Sequence, residues 1–200
     1  MLWAMKAVIL LSGGVESTTL LHMLAPDHAL APLFIDYGQR NARQEKRAAQ
    51  WQCDQLGLSL DIMPASRIGH FFRGEACLSR HVPIPHRNLM AAALAAAWAA
   101  QIRADAVYLG INREDAAADA ASTPEFIRLL RQSLQTLQLH LHTPLAELSK
   151  AAIVQLGLAR NVDYRRTWSC LLGHARPCRQ CPQCLKRQTA FAAAGLIAAS

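Results

Sequence analysis

Apolar positions along the chain switch repeatedly between a strand pattern and a helical one. Lys6 to Leu11 (KAVILL) is an almost unbroken apolar run rich in β-formers, which predicts a strand buried on both faces of a parallel sheet. A Gly-Gly turn follows, and from Ser17 the leucines Leu20, Leu21 and Leu24 recur at helical spacing until Pro26 stops them. The unit then repeats, with a strand over Ala29 to Ile35 and a helix over Arg43 to Leu56. That helix puts Ala49, Cys53 and Leu56 on one face and has Gly57 beyond its end. Leu58 to Met63 alternates like a weaker third strand. Pro64 to Arg87 has no clear period, contains Pro83 and Pro85, and is expected to be a long loop of the kind that carries function. Asn88 to Arg103 is alanine-rich and predicts a helix with Asn88 as its N-cap; Ala106 to Leu109 predicts a strand closed by Gly110. Ser122 and Glu125 form a capping-box pattern around Pro124, so a helix is expected to run to about Leu139. His140 to Thr143 suits a short strand, Ser149 a cap for a helix ending near Gly157, and Leu185 to Ala199 a final helix. Strands alternating with helices predict a doubly wound α/β domain with helices on both faces of its sheet, to which the last segment is appended.

Composition narrows the setting. With 200 residues, 52% hydrophobic and 18% charged, the chain can bury a core, and its composition is not that of a disordered protein. The longest apolar run, Leu89 to Ala100, is mostly alanine and falls far short of the roughly 20 residues that cross a bilayer. Lys6 and the Ser12-Gly13-Gly14 turn interrupt the stretch where a secretory leader would be apolar, so the chain is expected to stay in the cytoplasm. A net charge of +7 favours anionic partners. Because the arginines are scattered and no block of like charge exists, a nucleic-acid partner is the minority expectation.

Two motifs carry chemistry, and a set of scattered residues joins them. At the end of the first strand, Ser12-Gly13-Gly14-Val15-Glu16-Ser17 combines glycines that admit close backbone approach, two hydroxyls, and the start of a helix whose free N–H groups and positive dipole end favour an anion. It suits phosphate or pyrophosphate. It matches neither the Walker A nor the dinucleotide fingerprint, and taken alone it could equally be a plain strand-to-helix turn. The second motif uses four of the six cysteines, Cys170, Cys178, Cys181 and Cys184, at spacings that can close a tetrahedral zinc site. Arg176, Arg179, Lys186 and Arg187 would offset the charge of such a tetrathiolate. An iron–sulfur cluster is the rival occupant, His174 is a possible substitute ligand, and Cys53 and Cys77 are expected to be ordinary reduced thiols. Asp36-Tyr37-Gly38-Gln39-Arg40, Arg87-Asn88, Asn112 with Asp115, and Lys150 all fall near predicted strand ends, where a doubly wound sheet opens its cleft.

These residues resemble a known family. Ser12-Gly13-Gly14 with Ser17 is similar to the pyrophosphate loop of the ATP-pyrophosphatase superfamily, and the rest resembles the 7-cyano-7-deazaguanine synthase family within it. The matching stretches are Phe34 to Arg40, Pro85 to Asn88, Gly110-Ile111-Asn112 with Asp115, Pro124-Glu125-Phe126, His142 to Leu145 with Leu148-Ser149-Lys150, and Trp168-Ser169-Cys170 leading to the other cysteines. The resemblance implies five parallel strands in the order 3-2-1-4-5. It implies an ATP-binding unit over residues 1–165 and a zinc module over 166–200 within one compact body. It also implies an ATP-dependent ligase of the queuosine pathway that adenylates the carboxylate of 7-carboxy-7-deazaguanine, adds ammonia to give an amide, and dehydrates the amide to a nitrile. On this likeness Ser12, Gly13, Gly14, Glu16, Ser17, Asp36 and Gly110 would bind the nucleotide. Arg87, Lys150 and Asp115 would serve the chemistry, Mg²⁺ would accompany ATP, and the four cysteines would hold a structural Zn²⁺. A homodimer is implied by likeness only.

Two stretches depart from the family's pattern. Glu16 stands where the family usually has aspartate. Ala116 to Thr123 replaces a Tyr-Ser-Gly-Tyr-Pro-Asp-Cys-Arg type of segment suited to reading a deazapurine edge. They keep alternatives in play: a relative that activates another carboxylate, a nucleotide-binding protein without this chemistry, or an RNA-gripping relative.

Overall fold

β1 (Lys6–Leu10) takes the centre of a five-stranded parallel sheet because both of its faces are apolar, only Lys6 among its residues being exposed. It pairs with β2 (Ala29–Asp36) on one side and β4 (Ala106–Tyr108) on the other. β3 (Asp61–Pro64) and β5 (His140–His142) complete the order β3-β2-β1-β4-β5, which is the order expected. These elements belong to a computed structural model that describes residues 5–73 and 84–196. Cys77, Pro83 and the last residues of the predicted final helix lie outside them.

The pleat sorts the core into two layers. Ala7, Ile9 and Leu11 point to one face of the sheet. There they meet α1 (Val15–Leu24), α2 (Ala42–Gln55), α6 (Lys150–Leu158) and α7 (Pro182–Ala193) through Leu20, Leu21, Ala49, Cys53, Ile153, Val154 and Ala190. Val8 and Leu10 point the other way. They meet α4 (Arg87–Gln101) and α5 (Pro124–Gln135) through Ala95, Ala96, Ala99, Ile127 and Leu134. Alanines at 92, 95, 96 and 99 form the buried stripe of α4, and their small size lets that helix lie close against the sheet.

Several boundaries differ from the expectation. The predicted loop after β3 contains α3 (Ser66–Arg73), whose Gly69 N–H donates to Tyr37 O at 2.8 Å. Asn88 does not cap α4: His86, in the left-handed region at φ 53°, holds that place, and the Asn88 amide instead donates to Ser122 Oγ at 2.8 Å. Committed there, Ser122 yields the cap of α5 to Thr123, which accepts from Phe126 N, while Glu125 pairs with Arg128. The final helix begins a turn earlier than expected, at Pro182, because proline suits the first helical position.

α6 continues through Gly157, and an added Cβ there would collide with the Tyr164 hydroxyl, which is fixed by Thr19 Oγ1 at 2.6 Å and by its own donation to Ile153 O at 3.1 Å. In an unconstrained helix a Gly→Ala exchange stabilises by about 1 kcal/mol. Overpacking reverses the sign: Gly157→Ala should destabilise the chain by about 1–3 kcal/mol. A lowered denaturant midpoint is the expected outcome, and an unchanged or raised one would contradict the contact.

Candidate active site and metal centre

The carboxyl ends of β1 and β4 are the point where chain connections part to opposite sides of the sheet, and the crevice there is the ligand position of a doubly wound fold. Ser12, Gly13 and Gly14 leave β1 at this point. Gly13 sits at φ +71°, and an added Cβ would meet Glu45 O at 2.5 Å and Ala49 N at 2.8 Å, so the loop is pressed backbone to backbone against α2. Ser12 Oγ and Ser17 Oγ lie 3.1 Å apart, with Gly14 N–H donating to Ser12 Oγ and Ser12 N–H to Ser17 Oγ. Gly14 caps α1 without any side-chain hydrogen bond, which leaves the helix's positive end open to an anion. From the β4 side Gly110 comes so close that a Cβ would stand 3.1 Å from Ser17 N.

An ion pair closes one flank of the loop. Glu16 Oε1 takes Lys150 Nζ at 2.8 Å and Asn112 Nδ2 at 2.7 Å, so the longer side chain spans from α1 to the end of β4 and the start of α6. Asn112 and Asp115 cap each other across a short 3-10 turn. Burial pushes the Asp115 carboxyl up, the Asn112 N–H pulls it down, and Glu16 adds a further upward push.

The other flank belongs to the loop after β2. Asp36 accepts from Gly38 N–H at 3.0 Å, and Gln39 accepts from Tyr37 N–H with Oε1 while Nε2 donates to Glu45 Oε2 at 3.0 Å. Asn41 donates to the second oxygen of Glu45 at 2.8 Å. Arg87 reaches this group through Tyr37 Oη at 3.3 Å. Burial pushes the Glu45 carboxyl up to about 7, against the opposing pull of the Gln39 hydrogen bond, the Arg87 charge and the Asn41 hydrogen bond.

The structure therefore brings Ser12, Gly13, Gly14, Glu16, Ser17, Gly110, Asp115 and Lys150 together. Asp36 and Arg87 sit on the opposite flank, and Arg87 touches the first group only through its electrostatic field at Asp115. Sequence reasoning missed Glu45. A glutamate in the first turn of a helix reads as solvated, and the one available signal was its position four residues after Asn41, where side chains meet on a helix.

Cys170, Cys178, Cys181 and Cys184 converge with all four sulfurs within 4.8 Å of one another. Sulfurs around one tetrahedral ion with bonds near 2.3 Å stand about 3.8 Å apart, and Cys178 Sγ lies 3.9 Å from Cys184 Sγ. Backbone N–H groups of Cys178 and Cys181 donate to Cys170 Sγ and Cys178 Sγ at 3.3 Å each, and such donors favour the thiolate a metal needs. The donor set fits a single tetrahedral metal ion. A four-iron cluster would place each thiolate on its own iron and spread them farther. His174 is exposed and outside the cluster; its carbonyl accepts from Gln44 Nε2.

A family model described as "Queuosine biosynthesis protein QueC" matches residues 6–195. The chain belongs to the QueC family. Its QueC relatives include 7-cyano-7-deazaguanine synthase 1 of Sulfurisphaera tokodaii, 34% identical over 193 residues that cover 96% of this chain and 95% of the relative. The 7-cyano-7-deazaguanine synthase of Pseudomonas paraeruginosa is 34% identical over 214 residues, covering 96% and 95%. Among solved structures, the U34-tRNA thiolase NcsA of Methanococcus maripaludis, with its [4Fe-4S] cluster, superposes with a TM-score of 0.59 at 16% identity over 94% of this chain and 64% of that one. The NH3-dependent NAD synthetase of Campylobacter jejuni superposes with 0.53 at 16% identity, over 82% and 67%. At those identities the likeness speaks for the fold of the QueC chain alone.

The raised Glu45 carboxyl has a pH consequence. Folded, the group keeps a proton that the unfolded chain releases near 4.5, so its contribution to stability is full below that pH and is lost as the pH rises through about 7. Glu45→Gln should remove this dependence. The difference in unfolding free energy between wild type and variant should change from pH 5 to pH 7 and level off above; a difference independent of pH would contradict the assignment.

Proposed function

We propose that this protein converts 7-carboxy-7-deazaguanine into 7-cyano-7-deazaguanine in two ATP-consuming stages. The observation that carries the reading is the uncapped glycine–serine loop at the end of β1, facing the Lys150–Glu16 pair, on a chain that matches the QueC family nearly from end to end. ATP supplies an adenylyl group that turns a carboxylate oxygen, and later the amide oxygen, into a leaving group as pyrophosphate departs. Ammonia displaces AMP in the first stage, and loss of AMP from the activated amide leaves the nitrile in the second.

The chain's own groups have physical parts to play. Ser12, Ser17 and the N–H groups of Gly14 and the first turn of α1 hold the pyrophosphate, with Gly13 letting the loop pack against α2 and Gly110 leaving space beside Ser17 N–H. Lys150 and Arg87 oppose the negative charge that builds in acyl transfer, one from each flank. Glu16 orients Lys150, Asp36 and Asp115 border the nucleotide site from opposite flanks, and Mg²⁺ would accompany the ATP phosphates between them. The four cysteines hold Zn²⁺ as a structural ion, since four protein ligands leave no open position. Residues 166–200 form the metal module of a body whose first 165 residues bind the nucleotide, and the protein works in the cytoplasm. No helix among the described residues is long and apolar enough to cross a membrane.

One observation favours a second reading, a relative that acts on another carboxylate. Ala117, Ala118 and Ala120 are exposed in the turn before α5 and offer no donor to a heterocycle, and Asp119 spends one carboxylate oxygen on Ala121 N–H. Purified protein incubated with ATP, Mg²⁺, ammonium and 7-carboxy-7-deazaguanine should form amide and then nitrile, releasing two AMP per nitrile, followed by mass spectrometry. No AMP with this substrate, but AMP with a different acid, would replace the first reading by the second.

Glu16→Asp tests the flank. The shorter side chain cannot hold Lys150 and Asn112 together, so turnover should fall roughly tenfold to a hundredfold, as expected for a displacement of about an ångström. Equal or faster turnover would show that the length of Glu16 is not used. Cys181→Ser should lose the one metal ion per chain and lower the soluble yield with it, checked by elemental analysis; a variant with full metal content would remove Cys181 from the ligand set.

A further inference from the structure

We infer that Arg187 is a positioning residue for the glycine loop, acting through the chain segment 164–169 on the peptide that joins Gly13 to Gly14. The inference rests on reading that loop as the nucleotide site. Arg187 projects from α7 and makes three hydrogen bonds to one short segment of chain. Nη1 donates to Thr167 Oγ1 at 2.7 Å and to Ser169 Oγ at 3.3 Å, and Nη2 donates to Tyr164 O at 2.6 Å. All three acceptors are neutral oxygens. The guanidinium, stacked 4.3 Å over the Phe191 ring, thus serves as a rigid fork and forms no ion pair with a carboxylate among the described residues.

What the fork brackets is Trp168, the residue between its two hydroxyl acceptors. Trp168 N–H donates to Gly13 O at 2.8 Å. A trans peptide is planar, with its C=O and N–H pointing in opposite directions. Fixing Gly13 O on Trp168 therefore turns Gly14 N–H away, toward Ser12 Oγ at 3.3 Å and the interior of the loop. Glycine at both positions gives this peptide little intrinsic reason to keep that orientation. The strap supplies it: Tyr164 is anchored below α1 through Thr19, Trp168 Nε1 donates to Cys170 O at 2.8 Å, and Arg187 ties both ends together. One arginine on the last helix thereby sets the direction of a donor on the first.

The test separates nucleotide binding from general stability. Wild type, R187K and R187M, with metal content verified, are titrated by calorimetry with Mg²⁺ and α,β-methylene-ATP, and separately with 7-carboxy-7-deazaguanine. Loss of hydrogen bonds from a charged donor should weaken the nucleotide about tenfold or more in R187M. The lysine variant should fall between R187M and wild type, and affinity for the carboxylate should stay within about twofold. A folded, metal-loaded R187M that binds nucleotide like wild type overturns the inference. So does an equal loss for both ligands, which would mark a fold-wide effect. Should the arginine variants not fold, Thr167→Val, which deletes one acceptor, should weaken nucleotide binding while Thr167→Ser restores it; equal affinities there overturn the inference as well. Wild-type protein that ignores the nucleotide would instead bring down the reading of the loop, and this inference with it.

Discussion

The hydrogen bond between Trp168 N–H and Gly13 O joins parts of the chain more than 150 residues apart, and the geometry of the cleft depends on it. A bond of this kind contributes only about 1 kcal/mol net, so it does not hold the fold together. The two apolar layers around β1 do that. What the bond decides is direction: with α2 filling the space behind Gly13 and the 164–169 segment holding its carbonyl, the turn has one available shape. Small energies acting on a preformed scaffold select a conformation that the core alone leaves open.

The same division between bulk burial and local direction governs the charges. A net charge of +7 draws anions toward the molecule as a whole. Around the cleft, however, three of the cations are already engaged. Lys150 lies on Glu16, Arg87 on the Tyr37 hydroxyl, and Arg187 on three neutral oxygens. Each is held where it points, which avoids a reorganisation cost when negative charge develops nearby. Glu45 is the counterpart on the α2 flank, a carboxyl kept high by burial, whose two oxygens fix the amides of Gln39 and Asn41.

Most of the fold was legible because a parallel α/β sheet writes its two periods plainly. Apolar strands such as KAVILL and helices such as Asn88 to Arg103 differ in both pattern and length. The failures have local causes. α3 places Ile68, Phe71 and Phe72 at helical spacing, but Gly69 and the prolines further on mask so short a segment. The caps of α4 and α5 slipped by one or two residues because Asn88 and Ser122, each a good cap in isolation, bond to each other across the fold. The loop, the Lys150 flank and the cysteine set were visible as motifs. Glu45 and the fork of Arg187 were not, because their roles arise from contacts with the β2 loop and with segment 164–169, which no spacing along the chain encodes.

Glu16 brings the two levels together. An aspartate at this place in α1 would end one methylene short, and here the carboxylate meets donors on two other elements: Asn112 just after β4 and Lys150 at the first position of α6. Both donors converge on Oε1, so side-chain length and ammonium position form a single geometric choice. Lys150 N–H also donates to Glu114 Oε2, which sets the entry of α6 against the same turn. With part of the ammonium charge offset by Glu16, the uncapped end of α1 adds to the positive potential over the loop. That arrangement favours an extended anion lying along the loop over a compact one seated on the lysine, because the N–H groups at the start of α1 have no side-chain cap and the Ser12 and Ser17 hydroxyls lie beside them.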